Sequence, residues 1–138
     1  MGEPARANPV LDPDVLGLGT VVEEGYSLTP SVANGRVCVK FCGNGDMSAV
    51  ATLAGYLQLV HKEATRLDAQ EVMFDFSSLY FMNSNCFKSF VSWIDTVKSG
   101  VAGGAYRITF VANPQLHWQR RSLEALRRMA EHVVFVQM

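Results

Sequence analysis

The chain has 138 residues, of which 49% are hydrophobic and 18% charged, and its net charge is −1. These values predict one globular domain whose core needs neither disulfides nor a metal, and they give no support for nucleic acid or an anionic membrane as partner. No apolar run reaches the roughly 18–20 residues of a membrane-spanning helix. Three cysteines without a secretory signal predict free thiols in the reducing cytoplasm.

Residues 1–20 contain three of the five prolines and no sustained hydrophobic period. They predict a loosely ordered tail ahead of a single domain at residues 21–138. Residues 21–33 are extended in character, although Gly25 and Pro30 interrupt them. Asn34 and Gly35 form the sequence that type I′ turns prefer, which predicts an antiparallel hairpin with a second strand at residues 36–42.

The loop at residues 43–46 (GNGD) precedes an amphipathic pattern that predicts a helix over residues 47–67. The predicted inner stripe of this helix is Met47, Val50, Leu53, Ala54, Leu57, Val60, His61 and Ala64. Asp46 is placed to cap this helix. The loop lacks the lysine of a P-loop and the spacing of a dinucleotide fingerprint, so we interpret it as a turn with a helix cap. It is nevertheless the only part of the sequence that suggests a small-molecule ligand. His61 borders the apolar stripe, which predicts a core-edge histidine.

Residues 71–90 form the centre of the sequence pattern. Val72, Phe74 and Phe76 alternate as in a buried strand, and residues 79–82 are expected to carry apolar side chains back toward the core. Residues 83–85 can cap a helix that runs to Gly100, a natural helix end. Its apolar positions recur with helical spacing and predict a buried stripe of Cys86, Phe87, Phe90, Val91, Ile94 and Val97. Open α/β sheets place their sites where a strand meets a helix N-terminus, which predicts a functional loop at residues 83–86.

Residues 106–112 predict another strand, Asn113 and Pro114 a helix entry, and residues 133–136 a last short strand after a helix ending near residue 131. The predicted order is β-β-α-β-α-β-α-β. We therefore predict an α/β fold with a mostly parallel mixed sheet and an N-terminal hairpin, whose first strand is antiparallel at an edge.

This element order, with GNGD before the first helix and FDFSSLYFMNSNCFKSF at residues 74–90, resembles the STAS domain family, which includes bacterial anti-sigma factor antagonists. The resemblance covers about residues 26–136. Asn83 stands where the family motif has Asp, and Ser84 matches its first Ser. Asn85 stands where antagonists carry the Ser or Thr that a partner kinase phosphorylates, and Cys86 replaces the usual Gly. The resemblance implies a STAS-like fold and a role in signal transduction and transcription regulation.

The leading functional hypothesis is a non-catalytic protein-binding module. Its predicted partner is a regulatory protein such as an anti-sigma factor or a serine-kinase-like protein, and the sequence leaves a homodimer open. No enzyme activity, cofactor or metal is expected. The predicted contact residues are Asn83, Ser84, Asn85, Cys86, Asp46 and Asn44.

Two alternatives stay open. Ser84 can act as the phosphorylation site in a partner-switching pathway, because a phosphate there would lie at a helix N-terminus. Cys86 can act as a reactive or redox-sensing thiol, since helix N-termini lower thiol pKa values. Its position on the apolar stripe favours an inert, buried cysteine instead.

The third predicted helix carries the main concentration of charge. A solvated helix face is the ordinary interpretation of such a cluster, and a patch for an acidic partner is the alternative. The four residues are Arg120, Arg121, Arg127 and Arg128.

Overall fold

A computed structural model describes residues 16–100 and 106–138. Within these residues no helix is both long and apolar enough to cross a membrane. The elements are, in chain order, β1 (Val21–Val22), β2 (Tyr26–Ala33), β3 (Arg36–Gly45), α1 (Met47–Arg66), β4 (Glu71–Asp75), β5 (Leu79–Met82), α2 (Ser84–Ser99), β6 (Arg107–Val111), α3 (His117–Met129) and β7 (Val134–Gln137).

The strands form one mixed sheet in the order β1-β2-β3-β4-β6-β7, and β5 pairs with the end of β3. The pairs β1–β2 and β2–β3 are antiparallel, whereas β3–β4, β3–β5, β4–β6 and β6–β7 are parallel. This architecture confirms the predicted α/β fold with a mostly parallel sheet. The two-residue β1 and the short β5 were not predicted, because neither has enough residues to show an alternating pattern.

The predicted hairpin between β2 and β3 is confirmed. Asn34 and Gly35 have φ angles of 55° and 76°, as a type I′ turn requires, and Ala33 pairs with Arg36 across them. Pro30 lies inside β2 without breaking it. Because β1 pairs only with Ser27 and Leu28, Pro30 lies on an open sheet edge where its missing N–H is tolerated.

The core fills the space between one sheet face and the helices. Phe74 and Phe110 from the sheet, together with Phe76 directly after β4, meet Phe90 of α2, with ring centroids 5.2 Å apart for Phe74–Phe90 and 5.8 Å for Phe90–Phe110. Trp93, which the predicted α2 stripe omitted, is also buried and lies 5.3 Å from Phe74. Edge-to-face contacts of this kind stabilise the aromatic cluster beyond the area that it buries.

The opposite sheet face carries one nearly buried charge. Glu71 of β4 lies in register between Arg36 of β3 and Arg107 of β6. Its carboxylate is 3.0 Å from Arg36 Nε and 3.7 Å from Arg107 Nε, and it accepts a hydrogen bond from the Thr109 hydroxyl. The buried charge is therefore compensated across three neighbouring strands, as burial of a carboxylate requires.

The buried face of α1 differs from the predicted stripe. Ala49, Tyr56 and Glu63 are buried, whereas Met47 and Ala54 are exposed. The reason lies in the segment before β1, which packs on this face: Tyr56 Oη donates to the Gly19 carbonyl at 3.2 Å, and the Glu63 carboxylate lies against Gly17.

Leu16 and Leu18 of this segment belong to the core. Within the described residues, packing of the domain therefore includes residue 16, ahead of the boundary predicted at residue 21. The prediction of a loose tail for residues 1–15 lies outside the described residues.

The third helix begins later than predicted. The Asn113 side chain accepts a hydrogen bond from Gln115 N at 2.9 Å, so Asn113 and Pro114 form a turn and α3 begins only at His117. The residue before the helix, Leu116, makes no side-chain cap. Asn–Pro is a helix-entry sequence and also a turn sequence, and the sequence alone does not distinguish the two.

Candidate functional site

Two strand-to-helix loops meet at the carboxyl edge of the sheet. β3 and β5 run parallel and end side by side, with Gly45 paired to Met82. The Asn83 N–H donates to the Gly45 carbonyl at 2.8 Å, and the Gly43 N–H donates to the Ser78 carbonyl at 2.9 Å. The loop before α1 and the loop before α2 are thus joined by backbone hydrogen bonds, which brings together the two segments in which the sequence analysis placed contact residues.

Each loop ends in a side-chain cap. Asp46 Oδ1 accepts from Ser48 N at 3.0 Å and from Ser48 Oγ at 2.7 Å, and Asn83 Oδ1 accepts from Cys86 N at 2.9 Å. These bonds satisfy backbone N–H groups that a helix start leaves without partners. Capping accounts for the identities of Asp46 and Asn83 without invoking any ligand.

Gly43 explains how closely the first loop approaches the strand before it. It has a φ of +94°, and a Cβ there would lie 2.3 Å from the Gly25 carbonyl oxygen. The neighbouring Asn44 N–H donates to that same carbonyl at 2.8 Å. Only glycine permits this backbone contact.

Exposed side chains surround the two caps. Asn44, Asp46, Ser84 and Asn85 are exposed, and the Asn85 amide lies 3.7 Å from the sulfur of Met47. Large apolar side chains are exposed beside them: Met47 is 66% exposed, Tyr80 59% and Phe81 47%. We call this set the two-loop surface; its members are Asn44, Asp46, Met47, Tyr80, Phe81, Ser84 and Asn85.

The apolar members of this surface were not predicted from the sequence. It expected residues 79–82 to return to the core, but only Leu79 is buried. The four consecutive apolar residues carry no periodicity that separates inward from outward positions, so the sequence gives no signal for Tyr80 and Phe81. Met47 was predicted to lie on the inner stripe of α1, but its side chain is exposed.

Gln119 of α3, which was not predicted as a functional residue, holds the segment that connects β4 to β5. Its Nε2 donates to the Phe76 carbonyl at 2.7 Å and to the Leu79 carbonyl at 2.9 Å, while its Oε1 accepts from Asn113 N at 2.8 Å. The side chain is fully buried. It therefore satisfies carbonyl groups where the chain leaves β4, and it fixes the course of the backbone toward the two-loop surface.

Cys86 does not reach the two-loop surface. It is 0% exposed, its Sγ lies 3.8 Å from the Asp46 carbonyl oxygen, and burial together with the Asp46 charge raises the pKa of its thiol to about 11. The reactive-thiol alternative expected a lowered pKa. Desolvation outweighs the helix N-terminus here, so the geometry favours an inert thiol.

The arginine patch is separate from these loops. Arg127 and Arg128 pair with Glu124 of the same helix at 2.6 Å and 3.5 Å, while Arg120 and Arg121 are exposed. Among residues 16–100 and 106–138, no His, Cys, Asp and Glu side chains cluster in a way that could hold a metal ion.

Comparison with family models finds no match, and comparison with curated proteins finds none of significant similarity. Solved structures do match. The crystal structure of an anti-sigma factor antagonist from Mycobacterium paratuberculosis superimposes with a TM-score of 0.59 at 14% identity, covering 80% of this chain and 85% of that chain. The anti-sigma factor antagonist SpoIIAA in its unphosphorylated form gives a TM-score of 0.51 at 16% identity, covering 80% and 88%. The chain therefore has the STAS-like fold of these two anti-sigma factor antagonists, as the motif at residues 74–90 predicted.

Proposed function

We propose that this protein is a non-catalytic regulatory module that binds another protein, such as an anti-sigma factor, through the two-loop surface. The observation that carries the proposal is the group of exposed apolar side chains, Met47, Tyr80 and Phe81, beside the polar loop residues. Aromatic side chains and methionine are enriched at protein interfaces, and a few such residues usually supply most of the binding energy. The STAS-like fold shared with two anti-sigma factor antagonists supports the same class of partner.

The surface chemistry also suggests what the partner offers. Asp46 contributes a negative charge to this surface, and Ser84 and Asn85 contribute polar groups. A matching partner presents an apolar pocket for Tyr80 or Phe81 with hydrogen-bonding groups at its rim. We place this interaction in the cytoplasm, in a pathway of the partner-switching type.

The test uses tagged full-length protein in its native cells, followed by binding measurements with each purified anti-sigma factor of that organism. Asn85→Arg adds a long charged side chain to the surface, and Phe81→Ala removes a large exposed apolar side chain. We expect both variants to weaken binding by roughly ten-fold or more, as for central interface residues.

The matched control is Gln70→Arg, an exposed residue just before β4 at the opposite edge of the sheet. It adds the same side chain without touching the two-loop surface. If Asn85→Arg and Phe81→Ala bind like the control, the proposed surface is wrong. If no anti-sigma factor binds the wild-type chain but other native proteins do so in a way that depends on Asn85, the surface is right and the partner class is wrong.

A second proposal is that Ser84 is phosphorylated and that the phosphate switches partner binding. Asn85 carries an amide and cannot accept a phosphoryl group, whereas Ser84 is exposed at the first residue of α2. A phosphate there would meet the partial positive charge of the helix N-terminus.

Ser48 is an internal control for this idea, because it lies near the start of α1 but donates its hydroxyl to the Asp46 carboxylate at 2.7 Å. Mass spectrometry of protein from native cells should find phosphate on peptides containing Ser84 and none on Ser48. Absence of phosphate at Ser84 under all growth conditions tested would exclude the switch while leaving protein binding intact.

A further inference from the structure

A cavity of about 340 Å³ lies between α1 and α2, on helix segments that the proposed function does not use. Leu57, Gln58 and His61 of α1 line one side; Ser92, Trp93 and Thr96 of α2 line the other. The volume falls near the lower end of the roughly 300–1,000 Å³ typical of small-molecule sites. A compact ligand is therefore the kind that fits.

A hydrogen-bonded chain below the cavity fixes the tautomer of His61. Trp93 Nε1 can only donate, and it donates to Tyr106 Oη at 3.0 Å. Tyr106 Oη lies 2.8 Å from His61 Nδ1, and the described residues offer the Tyr106 proton no other acceptor, so we assign this proton to that hydrogen bond. His61 Nδ1 acts as the acceptor, so in the neutral ring the proton resides on Nε2.

This arrangement leaves one ring nitrogen of His61 available to a ligand. Nδ1 is occupied by Tyr106, so Nε2 is the nitrogen that can donate to another group. In the described part of the chain the Nε2–H has no hydrogen-bond partner. His61 lines the cavity, and burial lowers the pKa of His61, so the ring remains a neutral donor near pH 7.

The other polar groups of the wall are uncharged. Gln58 contributes an amide, Ser92 and Thr96 contribute hydroxyls, and Leu57 and Trp93 contribute apolar surface. Among residues 16–100 and 106–138, no Lys, Arg, Asp or Glu lines the cavity. A charged ligand would lose water without meeting a counter-charge, which is unfavourable. An uncharged ligand with a hydrogen-bond acceptor avoids this cost and finds both apolar contact and a donor.

We propose that the cavity between α1 and α2 binds a small uncharged molecule that accepts a hydrogen bond from His61 Nε2 and makes polar contacts with Gln58 and Ser92. This site is independent of the two-loop surface, so the failure of either proposal leaves the other standing.

The test is NMR titration of the full ¹⁵N-labelled chain with three uncharged probes: nicotinamide, uracil and 2-pyrrolidone. At least one should cause saturable shifts of the Gln58 side-chain amide and the Trp93 indole N–H, with a dissociation constant on the order of 1–10 mM for so few atoms. Nicotinate, which has the nicotinamide ring with a carboxylate, should bind at least ten-fold more weakly than nicotinamide. Absence of saturable shifts with all three probes, or equal binding of nicotinate, would overturn the proposal.

Two alanines of α1 provide matched variants. Ala54 lines the cavity, whereas the exposed Ala51 one turn earlier does not. Ala54→Phe should fill the cavity and abolish the probe-induced shifts, and Ala51→Phe should leave them unchanged. Spectra of the two variants without probe verify that both are folded. Retained binding in Ala54→Phe would show that the probes bind elsewhere and would overturn the proposal.

Discussion

Gln119 gives the most direct test of how this fold supports its candidate site. Replacing it by leucine keeps a side chain of similar size and removes the amide. The Asn113 N–H loses its acceptor, and the Phe76 and Leu79 carbonyls lose the donors at 2.7 Å and 2.9 Å. The orientation of the amide is fixed by these partners, because an N–H must face Oε1 and two carbonyls must face Nε2.

The expected cost follows from counting the groups that are affected. A buried polar group left without a partner costs about 1–3 kcal/mol. The Phe76 carbonyl keeps one bond, from Leu79 N at 3.0 Å. The other two groups therefore set the estimate, and Gln119→Leu should lower the free energy of unfolding by about 2–6 kcal/mol. Because a domain is typically stable by about 5–15 kcal/mol, this is a large fraction of the total.

The assay is urea unfolding followed by far-UV circular dichroism, with Gln115→Leu as the matched control. Gln115 lies four residues earlier and its side chain is exposed, so its replacement should change the free energy of unfolding by less than about 0.5 kcal/mol. Gln119→Glu separates donor from acceptor: it keeps an oxygen for Asn113 N but offers no N–H to the two carbonyls. It should destabilise at least as much as leucine at pH 7. A loss below about 1 kcal/mol for Gln119→Leu, at an unchanged denaturant slope, would refute the assigned role.

Three further predictions concern local chemistry. Gly43→Ala places a Cβ 2.3 Å from the Gly25 carbonyl oxygen at a φ of +94° and should destabilise the fold by about 2–4 kcal/mol. Gly55→Ala lies in α1, where the new Cβ meets nothing within 4 Å, and should stabilise the fold by about 0.5–1 kcal/mol. Thermal unfolding compares the two variants, and equal effects would contradict the argument. Burial lowers the pKa of His61 from 6.5, so at acidic pH the unfolded state binds a proton more readily than the folded state. The free energy of unfolding should therefore fall as the pH drops from 6.5 toward the lowered pKa. Urea midpoints measured between about pH 7.5 and 5 should fall less in His61→Gln than in the wild type, and an identical fall would exclude His61 as the cause. Burial raises the pKa of Cys86 to about 11, so its thiol should react slowly in the native protein. Brief iodoacetamide treatment at about pH 8 should modify the half-buried Cys42 well before Cys86, and urea should abolish this difference. Equal rates in the native protein, measured by peptide mapping, would support the reactive-thiol alternative.

Local and periodic features of the fold were predictable from the sequence. The Asn34–Gly35 turn, the cap at Asp46 and the helix end at Gly100 each follow from the backbone requirements of a few neighbouring residues. The parallel sheet followed from the alternation of strands with single helices. These features depend on short segments, which the sequence displays directly.

The features that were missed depend on contacts between distant segments. Gln119 is buried because it meets carbonyls about 40 residues away in the chain, and an isolated glutamine on a helix otherwise indicates a solvated position. Tyr56 and Glu63 are buried because residues 16–19 pack over them. Tyr80 and Phe81 are exposed because β5 pairs with the end of β3, and four apolar residues in succession carry no signal for that pairing.

The same distinction separates the structural role of some loop residues from the binding role proposed for others. Asn83 makes a cap bond that typically contributes about 0.5–2 kcal/mol to stability, so the fold itself accounts for this residue. Among the described residues, the Asn85 side chain makes only a 3.7 Å contact, to the Met47 sulfur, which is a weak acceptor, so its replacement should cost the fold little. The fold requires Tyr80 and Phe81 even less than Asn85, because their exposed apolar area lowers solubility and contributes little burial to the free domain. Side chains that the fold does not require, grouped at one edge between two helix starts, are what a binding surface needs and a purely structural loop does not.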